Sequence, residues 1–236
     1  MQTPEALAKV MKAANLVLEL ARLPVAQLCF ERRLNPVAIP DAYANFTRPH
    51  PRYKVFGYKT MGVALIDLAR FANPASYLHT VRQHGHAGQQ SRKAAARGYQ
   101  LRRIDRNEHL DEIHAIHTSV PERQGRPMDQ AYLMRKAAYP REPHCECHGA
   151  FDAEGRLAAY CNFALYGNFA ATDQLMGYKN NDGAMYMLLS DIICRLIEER
   201  RVNWFMYDTW FGAQHGLREF KRRVGFQPYR ARYQIV

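Results

Sequence analysis

The sequence predicts an α/β fold, and three neighbouring stretches carry that prediction. In the first, Met185, Leu188, Leu189, Ile192, Ile193, Leu196 and Ile197 recur at helical spacing, so residues 183–199 form an amphipathic helix. In the second, Asn203 to Asp208 is a short aromatic run without charge until its last residue, as a buried strand requires. In the third, a helix over 215–224 is stopped by Gly225, and residues 229–236 then alternate as a closing strand. A helix, strand, helix, strand order of this kind places a site at the carboxyl ends of the strands. Tyr207, Asp208, Thr209 and Trp210 fall there.

The elements before this region are read in order. Thr3-Pro4-Glu5 is a helix start, with apolar residues on one face from Leu7 to Ala21 and a stop at Leu23-Pro24. The four prolines between Pro36 and Pro51 mark an irregular linker, and residues 53–68 hold one or two strands broken at Gly57 and Gly62. Pro74 opens a basic helix reaching Arg97. Residues 1–98 are thus expected to be an N-terminal extension or a reduced companion domain, and 99–236 the main domain. From Tyr99 the pattern becomes regular. It gives a strand over 99–104, a helix capped by Asn107, a polar loop over 118–128 and a helix over 129–138. A hairpin follows with strands 148–151 and 156–165, then a strand over 168–177.

Composition limits the possibilities. An apolar share of 47% supports a proper core, and no uninterrupted apolar run reaches transmembrane length. Charges at Glu5, Lys9, Lys12 and Glu19 break up any signal-peptide segment, and five irregularly spaced cysteines suit reduced thiols, so a cytoplasmic location is expected. The formal charge of +11 favours a polyanionic partner or an anionic ligand. Its excess gathers in 82–106 and 218–232, where a solvated basic surface and nucleic-acid contact are both open readings. Oligomeric state is not legible.

The segment Tyr207-Asp208-Thr209-Trp210, followed by Gly216-Leu217, Phe220-Lys221 and Gly225, resembles the GNAT acyltransferase superfamily. Within it the chain is most similar to Fem-type peptidyltransferases, which also carry a basic segment like Ser91–Gly98 ahead of the first domain strand. The resemblance covers roughly 90–236 and lies in the order of the motifs. It implies a central mixed, largely antiparallel sheet flanked by helices. It further implies an N-acyltransferase that moves an acyl group from a thioester donor, acyl-CoA, to an amine acceptor. An aminoacyl-tRNA-dependent transferase of Fem type, with tRNA as partner, is the alternative; a non-enzymatic GNAT-like binding protein is a third.

The candidate site residues follow from these readings. In the superfamily the donor pyrophosphate rests on N–H groups at the start of the helix after the fourth strand, where backbone donors and the helix dipole meet phosphate. Here that turn holds Lys179, Asn180, Asn181, Gly183 and Ala184, with Asp182 as a competing helix cap that would repel phosphate. Asp208 is the candidate base or anchor for the amine, and His215 a candidate catalytic imidazole. Lys221 borders the apolar stripe of its helix and matches the lysine of the family's Phe-Lys pair, which implies a role at the donor end of the cleft, toward donor phosphate or the developing oxyanion. Arg123, Gln124 and Arg126, in the loop that lines the acceptor pocket in GNAT proteins, join Tyr207 and Trp210 as expected substrate contacts. His144, Cys145, Cys147 and His148 look like metal ligands, but the two histidines would lie about 13 Å apart along a strand. No metal is expected.

Overall fold

The computed structural model describes residues 18–51, 54, 56–83, 87–123, 125–180, 182–211 and 213–236. Its frame is one eight-stranded sheet. The strands are β1 (Val25–Phe30), β2 (Val63–Asp67), β3 (Gln100–Arg103), β6 (Cys145–Phe151), β7 (Leu157–Leu165), β8 (Phe169–Gly177), β9 (Trp204–Thr209) and β10 (Gln227–Ile235), in the order β1-β10-β2-β9-β8-β7-β6-β3. The short β4 (Glu122–Arg123) and β5 (Arg126–Pro127) form a separate hairpin. Pairing is antiparallel except at β1·β10 and β8·β9. The helices packed on the sheet include α1 (Ala38–Thr47), α2 (Pro74–Gln83), α3 (Ala87–Ala96), α4 (Leu110–Thr118), α5 (Gln130–Leu133), α6 (Ala184–Glu199) and α7 (His215–Val224).

Each face of the sheet takes alternate residues, as the period of a strand demands. Ala159, Cys161 and Phe163 of β7 meet Leu188, Ile192 and Leu196 of α6 on one face, with α2, α3 and α7 around them. On the other face Tyr160 packs with Ile113 and Ile116 of α4. Beside that cluster lies a ring cluster under α1, where Phe30 touches Tyr43, Phe46, Tyr166, Phe169 and Tyr233. The Asn168 side chain finishes the edge of β1: it accepts from the Cys29 N–H at 2.7 Å and donates to the Gln27 carbonyl at 3.0 Å.

Two irregularities in the sheet shape the site. Strands β8 and β9 pair only over Phe169–Ala171 against Trp204–Met206, and no further β8·β9 pairs follow toward their C-terminal ends. On its other side β8 slips register by one, since Asn162 faces Gln174 while Phe163 faces Thr172. Asp173 is the extra residue of that bulge. The slip shows in the packing: Ala170 and Leu175, of opposite parity, lie in the same cluster.

Several expectations are corrected. The supposed linker contains α1, because Pro40 falls in a first helical turn, where no N–H is required. The first 98 residues contribute β1 and β2 to the common sheet, so the 98/99 boundary does not divide the core. The helix expected over 129–138 ends at Leu133, since Asn107 takes the Tyr139 backbone on both sides, accepting from its N–H at 2.8 Å and donating to its carbonyl at 3.1 Å. The helix expected from Pro74 to Arg97 is described as α2 and α3, with 84–86 outside the described residues. Most of the expected first helix, 1–17, also lies outside them.

Candidate functional site

Where β8 and β9 part, the sheet opens into a cleft of about 580 Å³. Its walls are the late part of β8, the turn Tyr178–Asn180, the start of α6, and Leu217 and Phe220 of α7. Lys179, Asn180, Gly183 and Ala184 all line it; Asn181 lies outside the described residues. The first turn of α6 has N–H groups with no helical acceptor, and Ala184, Met185 and Tyr186 bring it to the cleft wall. The β8 edge beyond Ala171 has no strand partner among the described residues.

The turn before α6 is built differently from the sequence reading. Gly183, at φ +85°, is the N-cap, and Asp182 makes no cap bond. Asp182 instead forms an ion pair with Arg97 and accepts from the Tyr99 hydroxyl at 3.0 Å. Its charge is thereby opposed beside the cleft. A Cβ at Gly183 would collide with the Gln90 carbonyl oxygen, so this glycine is needed where α3 crosses the start of α6. Gln90 also lines the cleft, and its buried Oε1 has no hydrogen-bond partner among the described residues.

A smaller, more polar chamber of about 250 Å³ adjoins the cleft, and Arg123, Met128, Leu175, Tyr207 and Leu217 border both. Asp208 and Lys221 line this chamber. Asp208, next to last in β9, lies at φ +51°, a conformation that costs a non-glycine residue energy, and an ion pair with Lys59 Nζ at 3.1 Å holds it. Lys221, expected at the border of its helix's apolar stripe, is buried outright at 1% exposed. Its ammonium donates to the Thr209 carbonyl at 2.7 Å and stands 4.5 Å from the centre of the Tyr207 ring. Burial draws its pKa down to about 8, against a rise from Asp208 and a further lowering from Lys59. The same burial raises the Tyr207 hydroxyl above its ordinary range.

Arg123 donates to the Leu175 carbonyl at 2.6 Å, tying the β4–β5 hairpin to β8 at the junction of the two spaces. Arg126 lines the chamber, while Gln124 lies outside the described residues. His215 is exposed at the first position of α7 and lines neither space, and Trp210 packs on the core away from both. Their nearness to Asp208 in sequence does not bring them to it. His117 is buried against Tyr160, its Nε2 2.6 Å from the hydroxyl, and burial lowers its pKa to about 4, so it stays neutral. His144 precedes β6, and Cys145 to His148 are its first residues: burial raises the Cys145 and Cys147 thiols to about 11 and about 12, and Glu146 pairs with Arg201. Lys59, Arg97, Tyr99 and Gln90 were missed. Only Arg97, inside the basic stretch, gave any sign in the sequence.

Among solved structures, FemX shares this arrangement with a TM-score of 0.55 at 11% identity, over 71% of this chain and 59% of that one. The chain has the GNAT fold. Two other structures with GNAT architecture are less similar. L-PGS from Bacillus licheniformis matches at TM-score 0.46 and 16% identity, over 72% of this chain and 59% of that one. A tandem GNAT protein from the clavulanic acid biosynthesis pathway matches at 0.45 and 18%, over 71% and 50%. The chain thus spans less than two thirds of each of these proteins. No family model and no curated protein matches the sequence. Among the described residues no helix is long and apolar enough to cross a membrane.

Proposed function

We propose that this chain is an N-acyltransferase that moves an acyl group from a thioester donor, acyl-CoA, to an amine. The observation that carries the reading is the parting of β8 from β9, which leaves an open strand edge facing the first turn of α6 across one cleft. An unpaired edge takes amide groups as an added strand would, and free N–H groups at a helix start take phosphate. An acyl-CoA has both, amides in its arm and a pyrophosphate beyond them. The cleft volume lies within the range of small-molecule sites. Lys179 adds positive charge at the mouth, and Arg97 offsets Asp182 there.

The smaller chamber is the proposed amine side. The amine nitrogen forms a bond to the acyl carbon, the carbon–sulfur bond breaks, and the amine's proton is passed on so that the thiol leaves protonated. Asp208 anchors the incoming ammonium or accepts its proton. Lys221 lies at the junction of the two spaces through its contact with Tyr207. Of the two roles that the Phe-Lys motif implied, donor phosphate or developing oxyanion, its contact with Tyr207 and its place in the chamber support the second. With a pKa near 8 it is charged at neutral pH and can stabilise developing negative charge or give a proton to the leaving group.

An aminoacyl-tRNA donor is the second reading, favoured by exposed Arg92, Arg102 and Arg103 on α3 and β3. The other basic stretch supports it less, because Arg222 and Arg223 are both paired with Glu219. Calorimetric titration with acetyl-CoA, a long-chain acyl-CoA and charged tRNA separates the readings. Saturable acyl-CoA binding that Lys179→Met weakens is the expected outcome. Binding of charged tRNA alone, falling steeply with salt, selects the second reading. Binding of none of the three defeats both.

A further inference from the structure

The β4–β5 hairpin carries two arginines on the wall of the polar chamber. Arg123 and Arg126 are direct cross-strand partners on either side of a tight turn that Gly125 makes at φ +71°. Residues directly opposite one another project to the same face, and like charges so placed repel. Glu122, one residue from Arg123, alternates to the other side and lines the larger cleft. Both arginines line the polar chamber. The hairpin is not a loose loop either: Met128, just beyond it, is 7% exposed, and Arg123 is tied to Leu175.

The chamber's other charges show what kind of molecule suits it. Lys59 is engaged by Asp208, and Lys221 by the Thr209 carbonyl. Arg126 and Asp129 have no side-chain partner among the described residues, and Asp173, projected by the bulge, accepts only from Asn162 at 3.1 Å. Besides its two engaged lysines, the chamber therefore offers a pair of guanidinium groups together with the carboxylates of Asp129, Asp173 and Asp208. A plain amine would satisfy the carboxylates and leave the arginine pair repelling.

We propose that Arg123 and Arg126 form an anion clamp for the acceptor, so that the amine accepted here bears a carboxylate or phosphate on the same small molecule. The proposal rests on the transferase reading for the word acceptor, but the clamp itself is tested by binding alone. At about 250 Å³ the chamber suits an acceptor of amino-acid size or the end of a larger one. Arg123 sets the anion beside the junction and Arg126 closes over it, each contributing charge-assisted, fork-shaped donors.

The test is calorimetric titration, without donor, of three matched pairs into the full chain: L-lysine and cadaverine, L-tyrosine and tyramine, O-phosphoethanolamine and ethanolamine. In at least one pair the anion-bearing member should bind about tenfold or more tighter than its partner. Arg126→Gln should erase that preference, while Arg232→Gln, on β10 away from the chamber, should keep it. The preferred pair tells carboxylate from phosphate. Equal binding within all pairs, no binding by any anion-bearing member, or a preference that survives Arg126→Gln overturns the clamp. Thiol release from acyl-CoA is read separately. An Arg126-dependent preference without transfer from either donor class would leave the clamp standing and remove the transferase reading.

Discussion

Replacing Lys221 by methionine keeps the length of the side chain and removes its charge, and the structure fixes what should follow. Holding a buried ammonium whose pKa has been drawn from 10.5 to about 8 costs roughly 3 kcal/mol in the folded state. Methionine removes that cost but leaves the Thr209 carbonyl unpaired, a loss of about 1–3 kcal/mol. At pH 7 the variant should therefore be as stable as the parent or up to about 2 kcal/mol more stable. The pH dependence has a definite sign. Between about pH 8 and 10.5 the unfolded parent binds more protons than the folded parent, so parent stability rises with pH through that window. Below pH 8 the burial cost is fully present, and any advantage of the variant shrinks as pH rises. Transfer should move the other way. If Lys221 supplies charge or a proton at the junction, its loss lowers turnover about tenfold or more, roughly 1.5–3 kcal/mol of barrier. The parent's rate should fall above about pH 8, and the variant should lack that limb. Urea denaturation at pH 7 and 9.5 measures stability, and thiol release measures transfer. Arg222→Met, which breaks only the exposed contact with Glu219, is the control. A variant that loses stability in proportion to its activity, or that matches Arg222→Met, would refute a functional role for Lys221.

Three other outcomes are expected. Gly183→Ala should destabilise the protein by roughly 1–3 kcal/mol in chemical denaturation, because it strains a positive φ and collides with Gln90; an unchanged midpoint would count against this packing. Asp208→Asn should lower transfer markedly while shifting stability by only about 1 kcal/mol, since Asp208 is half exposed and the amide oxygen can still accept from the mostly buried Lys59; unimpaired transfer would remove Asp208 from the site. Arg97→Ala leaves Asp182 unopposed at the mouth of the cleft, so donor affinity should fall several-fold at low salt and less at high salt; a salt-independent change would point away from charge.

Local periodicity made much of the fold legible. The spacing from Met185 to Ile197 gives α6, and the stop at Gly225, seen at φ +102°, ends α7 where its sequence says it should. The uncharged aromatic run gives β9, and the alternation that follows gives β10. Contacts between distant parts of the chain left no such trace. Nothing local announces that Lys59 meets Asp208, that Arg97 and Tyr99 engage Asp182, or that Gln90 crosses Gly183. The bulge at Asp173 is equally silent, because the sequence pattern of β8 does not show where its partner slips. His215 misled for a related reason: closeness along the chain to a strand end says little about where the first turn of the next helix faces.

The position of β10 has a consequence for how the protein is made. This strand lies between β1 and β2, parallel to one and antiparallel to the other. Both neighbours leave the ribosome long before it does. At a synthesis rate of roughly 5–20 residues per second, β1 waits roughly 10–40 seconds for a partner about two hundred residues away. During that time β1 and β2 expose unpaired edges, and the ring cluster around Phe30 lacks Tyr229 and Tyr233. The nascent chain thus holds an open slot in its sheet until β10 arrives. A chain released before residue 227 would keep two sticky edges in place of a finished sheet, and it should be recovered with chaperones or as aggregate.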